Sequence, residues 1–295
     1  GTGKTTMVKV IADYIEKNRK LIMMAPTGRA ARVLATKTGH EAVTIHKAIY
    51  AKAHVEPKKV KDVAESEFKF VFPINQSENG GNIVAIVDEA SMVCSRKIDH
   101  ELFMFGTDNQ MDDLLTFVRP NFGGKVIFVG DPAQLPPVSE SVSNALRAEY
   151  FQEKGLKVIE AELTEVLRQK NDSVILKNAM MIRDLLKKDK RNQLVFEEQK
   201  DDVEMVPSEQ FLDRYLKYRK ESSSHDSVII CFSNKSANRY NRDIRKALYG
   251  GDVPLRENDI LLITQNNYRL NRMNGEFVPV LSVGARTQQS APVYA

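Results

Sequence analysis

The stretch GTGKTT at residues 1–6 decides the fold of this chain, because a glycine-rich turn there leads directly into an amphipathic helix. The helix is predicted over residues 4–18, where apolar residues recur at the spacing of one buried face. They are Val8, Ile11, Ala12 and Ile15. The stretch matches the end of the phosphate-loop pattern G-x-x-x-x-G-K-[ST]. We therefore expect the opening glycine of that pattern and the two residues after it to precede the chain, which would make it a fragment of a longer protein.

The loop carries groups that bind phosphate. Free backbone N–H groups and the positive end of the helix dipole face an anion there, and Gly3 lets the backbone approach it closely. Lys4 is expected to reach the β- and γ-phosphates of ATP, and the Thr5 hydroxyl to take one position on Mg²⁺. The alternative is a glycine-rich remnant ahead of an ordinary helix, which this stretch alone does not exclude. The predicted nucleotide-binding residues are Gly1, Thr2, Gly3, Lys4, Thr5 and Thr6.

Length and composition indicate a soluble globular protein. A chain of 295 residues can hold two domains, and its 42% apolar and 28% charged residues are typical of that class. No apolar run approaches the length of a membrane span, so we expect no membrane partner. Cys94 and Cys231 lie far apart without a metal-binding or redox spacing, which favours a reducing compartment, the cytoplasm. The net charge of +4 is compatible with nucleic acid but does not identify a partner.

Short apolar strands alternate with helical stretches in the first half of the chain, which predicts a parallel sheet covered by helices. The predicted strands are residues 21–25, 83–87 and 125–129, with a helix over residues 29–38. A polar cluster follows each strand: PTG at 26–28, DEAS at 88–91 and GDP at 130–132. Because ligands bind at the carboxyl ends of parallel strands, we expect all three clusters beside the phosphate loop.

Asp88 and Glu89 supply two carboxylates with different predicted roles. Asp88 can hold Mg²⁺ directly or through water, while Glu89 can orient and deprotonate the water that attacks the γ-phosphorus. The alternative is that Asp88 only caps the next helix, a position where Asp is favoured. The nearby Gly3-Lys4-Thr5 favours the catalytic interpretation.

The stretch GDPAQLPPV at residues 130–138 combines a strand-end turn, a neutral amide and a rigid proline pair. Gln134 can hydrogen-bond a γ-phosphate oxygen and lose that bond after hydrolysis. The loss of this bond can then change the conformation of other parts of the protein. The alternative is a solvated loop glutamine held by the neighbouring prolines. We favour the nucleotide-sensing role.

The chain carries, in order, the motifs GTGKTT, APTGRAARVL, TIHK, DEASMV, GDPAQLPPV and LTEVLRQ between Gly1 and Gln169. With them it resembles the superfamily 1 DNA helicases of the RecD-like type, which include the exodeoxyribonuclease V alpha subunit and the Pif-type and phage Dda-type helicases. Weaker similarity continues at residues 231–234 and 266–276. The resemblance implies an α/β fold, that of a P-loop NTPase with RecA-like parallel sheets, with a nearly complete first motor domain and a partial second one.

The resemblance also implies further site residues. Arg168 is the expected finger that contacts the γ-phosphate within the same chain, the alternative being a surface salt bridge. Thr27 begins a helix with free N–H groups, and Arg29 adds charge on its face. Thr44 and His46 flank an apolar residue, an alternation typical of a short exposed edge or loop. The implied DNA-contacting residues are Pro26, Thr27, Gly28, Arg29, Thr44 and His46, with Asn234 and Asn238 in the second domain.

Domain boundaries follow from breaks in the strand–helix alternation. The first motor domain is expected over residues 1–169, with a small inserted β-hairpin at 51–82 whose aromatic face carries Phe68, Phe70 and Phe72. By resemblance such a hairpin can act as a wedge at a duplex fork, but we favour simple packing onto the domain. The partial second domain spans 170–284, and 285–295 forms a loose tail. Within the second domain we predict helices at 173–188, 208–220 and 234–248, and a buried strand at 227–232.

Taken with the resemblance, these motifs predict an ATP-dependent helicase or translocase on single-stranded and fork DNA, running 5′ to 3′ and coupling Mg·ATP hydrolysis to domain closure. The nearer alternative is a nucleotide-gated DNA-binding subunit of a recombination or repair complex without unwinding of its own. The more distant alternative is a P-loop ATPase that remodels a protein, which leaves GDPAQLPPV and LTEVLRQ unexplained. Because the later family motifs are absent from the chain, we expect it to be weak or inactive alone.

Overall fold

The computed structural model of this protein describes residues 3–52, 54–57, 68–75, 82–99, 103–163, 173–188, 190–199, 202–221, 227–251, 253–264, 270 and 275–284. Gly1, Thr2, Arg168 and the proposed tail at 285–295 lie outside the described residues. The chain forms two compact units, Gly1–Gln169 with Leu262–Glu276, and Lys170–Leu261 with Phe277–Ala295. The segment Leu262–Glu276 thus belongs to the first unit, although the sequence placed it in the second domain. The assignment of two motor domains stays a prediction.

The first unit contains a parallel sheet. Its strands are β1 (Lys20–Ala25), β2 (Ala42–Thr44), β5 (Ile83–Val87) and β7 (Lys125–Phe128), in the order β2-β1-β5-β7. Met24 of β1 lies beside Val87 of β5, and Val87 beside Phe128 of β7, so the ends of these strands are neighbours. Every residue of β5 is buried, as expected for a strand covered on both faces. The predicted α/β fold is confirmed.

Helices cover both faces of the sheet. They are α1 (Lys4–Ile15) and α2 (Gly28–Thr38) on one face, and α3 (Ile45–Ile49), α4 (Gln110–Val118) and α5 (Ala148–Glu153) on the other. Because successive strand residues point to opposite faces, Met23 enters the core with Val8 and Leu34, while Met24 enters the core with Ile49 and Leu114. All six side chains are at most 2% exposed, and burial of such residues stabilises the fold by about 1.5–3 kcal/mol each.

Local chemistry fixes where α1 and α2 begin. Gly3 precedes α1 with φ of 77°, a left-handed conformation that glycine adopts without steric cost. Thr27 precedes α2, and its hydroxyl accepts a hydrogen bond from the Ala30 N–H at 3.2 Å, which satisfies one free donor of the first turn. α1 therefore begins just after the phosphate loop and α2 just after the end of β1, as the sequence predicts.

A second sheet joins the predicted insertion to the rest of the unit. Its strands are β3 (His54–Pro57), β4 (Phe68–Phe72) and β6 (Phe103–Phe105), and β4 pairs antiparallel with β3 and parallel with β6. The Phe72 ring stacks on the Phe105 ring with centroids 4.5 Å apart, and both pack against the main core. Phe72 therefore plays the packing role that we favoured, while Phe70 remains 42% exposed.

A buried carboxylate ties α4 to the segment after α3. Asp113 is fully buried and accepts hydrogen bonds from the Tyr50 hydroxyl at 2.7 Å and from the Thr107 hydroxyl and N–H at 2.8 and 3.1 Å. Burial, followed by the Asp113 carboxylate, raises the pKa of Tyr50. A buried charge is stable only when its hydrogen bonds are satisfied, so this cluster fixes the positions of the elements around it.

Replacing Gly106 with alanine is expected to destabilise the first unit by about 2–4 kcal/mol. Gly106 has φ of 51°, and a Cβ atom there would collide with the Asp113 carboxylate. Denaturant unfolding measures the change. A stability within about 0.5 kcal/mol of the parent, the usual range for a surface change, would show that the cluster is not rigid. Glycine 155, also at positive φ but with open space around its Cβ position, gives the matched control Gly155→Ala.

The second unit is mainly helical in its described part. Its helices are α6 (Val174–Lys187), α7 (Ser208–Glu221) and α8 (Asn234–Tyr249). The short strands β8 (Ile260–Leu262) and β9 (Phe277–Pro279) pair with each other. A short 3-10 helix lies at Arg191–Gln193 in the second unit, and others lie at Ala90–Met92, Pro120–Phe122 and Asn144–Leu146 in the first unit. The three helices that the sequence predicts in the second domain are confirmed. In the part of the chain that the structure describes, no helix is long and apolar enough to cross a bilayer.

The predicted buried strand at residues 227–232 is wrong. These residues form no strand, and the side chains of Ile230 and Phe232 are 91% and 106% exposed. A strand needs a neighbour to satisfy its backbone N–H and C=O groups, and no described residue pairs with this segment. The described part of the second unit accordingly contains no parallel sheet, so a second RecA-like domain remains a prediction.

Candidate nucleotide site

The start of α1 lies beside residues that follow the carboxyl end of β5, because Lys4 lines the same cleft as Asp88 and Glu89. Gly3 accepts a hydrogen bond from the Met7 N–H at 3.1 Å, which closes the first helical turn. No side chain caps the start of α1 among the described residues. The N–H groups of the first turn, with Lys4 and Thr5 beside them, are therefore available to an anion.

Asp88 and Glu89 follow β5 directly, and their backbone is fixed on both sides. The Asp88 N–H donates to the Met24 carbonyl and the Ala90 N–H to the Val129 carbonyl, both at 2.9 Å. Glu89 has φ of 50°, an uncommon conformation for a residue with a side chain. Glu89, not Asp88, occupies the capping position of the following 3-10 helix, and no side chain caps that helix. The helix-capping alternative for Asp88 is thus excluded.

Burial raises the pKa of both carboxyl groups. For Asp88, the backbone N–H of Glu89 and the cations Lys4 and Lys37 oppose the effect of burial. For Glu89, the Asp88 carboxylate adds to the effect of burial and Lys4 opposes it. A carboxylate with a raised pKa is a stronger base, which suits the proton-accepting role predicted for Glu89.

These groups line one cleft of about 280 Å³ in the first unit. Its walls are formed by Gly3, Lys4, Thr5, Ala30, Val33, Leu34, Lys37, Asp88, Glu89, Asp131 and Gln134. The structure thus brings together six residues that the sequence nominated from three separate motifs: Gly3, Lys4, Thr5, Asp88, Glu89 and Gln134. Gly1, Thr2 and Arg168 lie outside the described residues.

The donor set in the cleft fits Mg²⁺. The Thr5 hydroxyl and the Asp88 carboxylate are hard oxygen ligands of the kind that this ion prefers. Among the described residues, no three His, Cys, Asp or Glu side chains cluster as a self-sufficient metal cage. Mg²⁺ commonly binds through one or two protein oxygens together with substrate phosphates, so the arrangement fits an ion that arrives with a nucleotide.

Gln134 is held by a turn at the end of β7. The Gln134 N–H donates to the Asp131 carbonyl, and the Asp131 carboxylate accepts from the Ala133 N–H, both at 3.0 Å. The side chain of Gln134 is exposed yet lines the cleft, while Leu135 is 84% exposed. The sequence did not nominate Asp131, although its place after an apolar strand, like that of Asp88, was an available signal.

The first set of predicted DNA contacts lies at the start of α2. Thr27 caps the helix, Gly28 is buried, and Pro26 joins them to β1. Arg29 donates to the Gly275 carbonyl at 3.2 Å, and the neighbouring Arg32 pairs with Glu276. Neither contact was predicted, because both join segments far apart in the sequence.

The second set differs from its expected local structure. Thr44 ends the outer strand β2, so the expected edge is present, but Thr44 is buried rather than exposed, and its hydroxyl caps α3 through the Lys47 N–H at 3.2 Å. His46 lies on α3, its Nδ1 accepts a hydrogen bond from the Gln110 amide N–H at 3.2 Å, and its ring meets the Phe105 ring edge-on at 5.1 Å. The capping threonine starts a helix where the alternation of polar residues suggested none.

Asn234 and Asn238 lie in the first half of α8 in the second unit, with exposed side chains. Ser233, not Asn234, caps that helix, because the Ser233 hydroxyl accepts from the Ser236 N–H at 3.2 Å. Asn234 therefore does not cap the helix. Their predicted DNA contacts stay a prediction.

Glu140 is a buried carboxylate that the sequence did not single out. It is 9% exposed and accepts hydrogen bonds from the Ser95 N–H at 2.8 Å and the Ser95 hydroxyl at 2.6 Å. Asn144 donates to the same hydroxyl at 2.8 Å. This Glu140–Ser95 pair joins the segment after Asp88 and Glu89 to the loop that carries Gln134. Burial acts to raise the pKa of Glu140, but the hydrogen bonds from Ser95 outweigh it and hold that pKa below its usual value.

Replacing Glu140 with glutamine is expected to destabilise the first unit by about 1–3 kcal/mol near neutral pH, because the amide cannot accept both bonds from Ser95. Since the folded pKa is lowered from 4.5, the carboxylate contributes stability above that value and loses it as the pH falls through the folded pKa. Urea unfolding of parent and variant at pH 7 and at about pH 3 should therefore show a shrinking difference. The exposed Glu153→Gln is the control. A gap of equal size at both pH values would contradict the role of the ionised carboxylate.

Comparison with known proteins supports the resemblance. A sequence model described as an AAA domain matches residues 1–207. The ATP-dependent RecD2 DNA helicase of Deinococcus radiodurans is 32% identical over 145 residues, 47% of this chain and 15% of that protein. The ATP-dependent DNA helicase dda of Enterobacteria phage T4 is 26% identical over 286 residues, 94% of this chain and 57% of that protein. The chain thus spans less than two thirds of the length of either relative.

The match to the AAA domain covers most of the chain, including every residue that lines the cleft. Both relatives are superfamily 1 helicases of the types that the ordered motifs indicated. The chain therefore belongs to the AAA domain family, and its resemblance to the RecD-like and Dda-like superfamily 1 helicases is confirmed.

Proposed function

We propose that the protein containing this chain is an ATP-dependent DNA helicase or translocase that hydrolyses Mg·ATP in the cleft. The observation that carries the proposal is the common cleft of Lys4, Thr5, Asp88, Glu89 and Gln134. Family membership and the helicase names of both relatives support it.

In the proposed reaction, the Glu89 carboxylate accepts a proton from a water molecule whose oxygen attacks the γ-phosphorus. The bond from the γ-phosphorus to the bridging oxygen breaks, and ADP leaves with the electron pair. Lys4 and the N–H groups at the start of α1 bind the phosphates and stabilise the charge that develops on them. Mg²⁺, which Thr5 and Asp88 would hold, supplies Lewis-acid neutralisation of the phosphate oxygens.

Coupling to movement is proposed to depend on groups that contact the γ-phosphate only before hydrolysis. Gln134 and Arg168 are the residues that we assign to this difference, because a ligand shifts a conformational equilibrium only through contacts that differ between its states. The two motor domains would close around Mg·ATP and reopen after hydrolysis.

Single-stranded DNA and duplex forks are the proposed substrates. Pro26, Thr27, Gly28 and Arg29 follow β1 at the carboxyl edge of the sheet, near the cleft, where the first turn of α2 can hold a backbone phosphate. By resemblance, translocation would run 5′ to 3′, and recombination or repair subunits are the proposed protein partners.

The test is ATP hydrolysis by the complete protein with and without single-stranded DNA, followed by unwinding of duplexes with a 5′ or a 3′ tail. We expect DNA-stimulated hydrolysis and unwinding from the 5′ tail. Stimulation without strand separation would favour the nucleotide-gated DNA-binding subunit. Hydrolysis that single-stranded DNA does not change would favour a protein-remodelling ATPase and contradict the proposal.

A further inference from the structure

One wall of the cleft is formed by α2, and Lys37 is its charged residue. Ala30, Val33, Leu34 and Lys37 all line the cleft. Their spacing of three and four residues places them on one face of the helix. Side chains of a helix tilt towards its N-terminus, a tendency that would carry the long Lys37 side chain towards the start of α2, where Ala30 also lines the cleft.

Lys37 lines the cleft and is not paired with any described carboxylate. Three other lysines of the first unit do form ion pairs: Lys9 with Asp13 at 3.0 Å, Lys69 with Asp99 at 2.8 Å and Lys154 with Asp112 at 2.8 Å. Within the described ranges, no carboxylate lies within ion-pair distance of the Lys37 ammonium group. Its positive charge is therefore not committed to a salt bridge among these residues.

Lys37 and Lys4 approach the same acidic group from different helices. Lys4 stands at the start of α1 and Lys37 in the last turn of α2, and both cations act on the Asp88 carboxylate. Lys4 also acts on Glu89. The cleft thus holds a second cation, Lys37, besides the lysine of the phosphate loop.

A lysine in the last turn of a helix also offsets the negative end of the helix dipole. That role would stabilise α2 equally whichever nucleotide is bound. A lysine that contacts phosphate behaves differently, because a triphosphate carries an additional charged group that a diphosphate lacks. Discrimination between the two nucleotides therefore separates the two roles.

We propose that Lys37 contacts the terminal phosphate of the bound nucleotide and helps the protein to distinguish a nucleoside triphosphate from a diphosphate. The inference rests on the proposed function, since it needs nucleotide in this cleft. Lys4 would contact the β- and γ-phosphates from one side, and Lys37 would reach the γ-phosphate oxygens from the other. The sequence carries a signal for this residue in the spacing of Ala30, Val33 and Lys37 on α2.

The experiment measures the affinity of the complete protein for fluorescent ATPγS and fluorescent ADP, each with Mg²⁺. For Lys37→Met we expect the Kd for ATPγS to rise about tenfold, the effect of losing one charged contact that is partly exposed to solvent. The Kd for ADP should change less than about twofold. Lys37→Arg keeps the charge and should recover most of the ATPγS affinity. Lys17→Met, an exposed lysine just after α1, removes the same charge outside the cleft and should leave both affinities unchanged.

The outcomes separate this inference from the function on which it rests. If the parent protein binds neither nucleotide, the proposed function fails and the inference with it. If the parent binds both, but Lys37→Met weakens both equally or neither, the role of Lys37 is overturned while the nucleotide site stands. Thermal unfolding of each variant identifies a general loss of folding, which would weaken both nucleotides together and is not shared by Lys37→Arg.

Discussion

Replacing Lys4 with alanine is expected to lower the rate of ATP hydrolysis in the complete protein by about 10²–10³-fold, the usual effect of removing one group that stabilises developing charge. Lys4 lines the cleft beside the start of α1, and its charge acts on both Asp88 and Glu89. Without it, the negative charge on the phosphates and on the two carboxylates is no longer balanced from the helix side.

Steady-state hydrolysis in the presence of single-stranded DNA measures the change. Lys17→Ala removes an equal charge from an exposed position and should keep the parent rate. Thermal unfolding should be little changed, because Lys4 is not part of either core. Retained DNA-stimulated turnover in Lys4→Ala would show that the phosphate loop does not serve the reaction.

Replacing Glu89 with glutamine is expected to separate binding from chemistry. The amide has nearly the same shape but cannot accept a proton at neutral pH, so hydrolysis should fall by about 10²–10⁴-fold. Nucleotide affinity should stay the same or increase, because the substitution removes a negative charge close to the phosphates. Glutamine can also occupy the φ of 50° that Glu89 adopts, at a strain similar to that of glutamate.

Single-turnover hydrolysis and equilibrium binding of fluorescent ATPγS test the two halves of this expectation. The exposed Glu153→Gln on α5 makes the same chemical change away from the cleft and serves as the control. A Glu89→Gln protein that hydrolyses ATP at the parent rate would remove Glu89 from the role of base. A protein that no longer binds nucleotide would indicate a structural role instead.

The sequence predicted the parts of the cleft that depend on local pattern. Asp88 and Gln134 each follow an apolar strand, and parallel strands end at the same edge of a sheet, so their convergence follows from the order of elements. The phosphate loop adds Lys4 because a glycine-led helix start is recognisable from a few residues. The helical period of α1 likewise located its buried face, on which Val8 and Ala12 are buried.

Features that depend on contacts distant in sequence were not predicted. The bond from Arg29 to Gly275 joins residues 246 positions apart, and the pair of Glu140 with Ser95 joins residues 45 apart. The apolar run at 227–232 reads as a buried strand by composition, but pairing partners decide whether a strand forms. Thr44 shows a further limit, since one hydrogen bond from the Lys47 N–H converts an expected loop into a helix start.

The central claim is that Lys4, Asp88, Glu89 and Gln134 surround one triphosphate. Its most direct test is a structure of the complete protein with Mg²⁺ and a non-hydrolysable ATP analogue. We expect the phosphates in the cleft at the start of α1, with Mg²⁺ between Thr5 and Asp88, and with Glu89 and Gln134 facing the γ-phosphate. An analogue bound elsewhere, with this cleft left empty, would contradict the account.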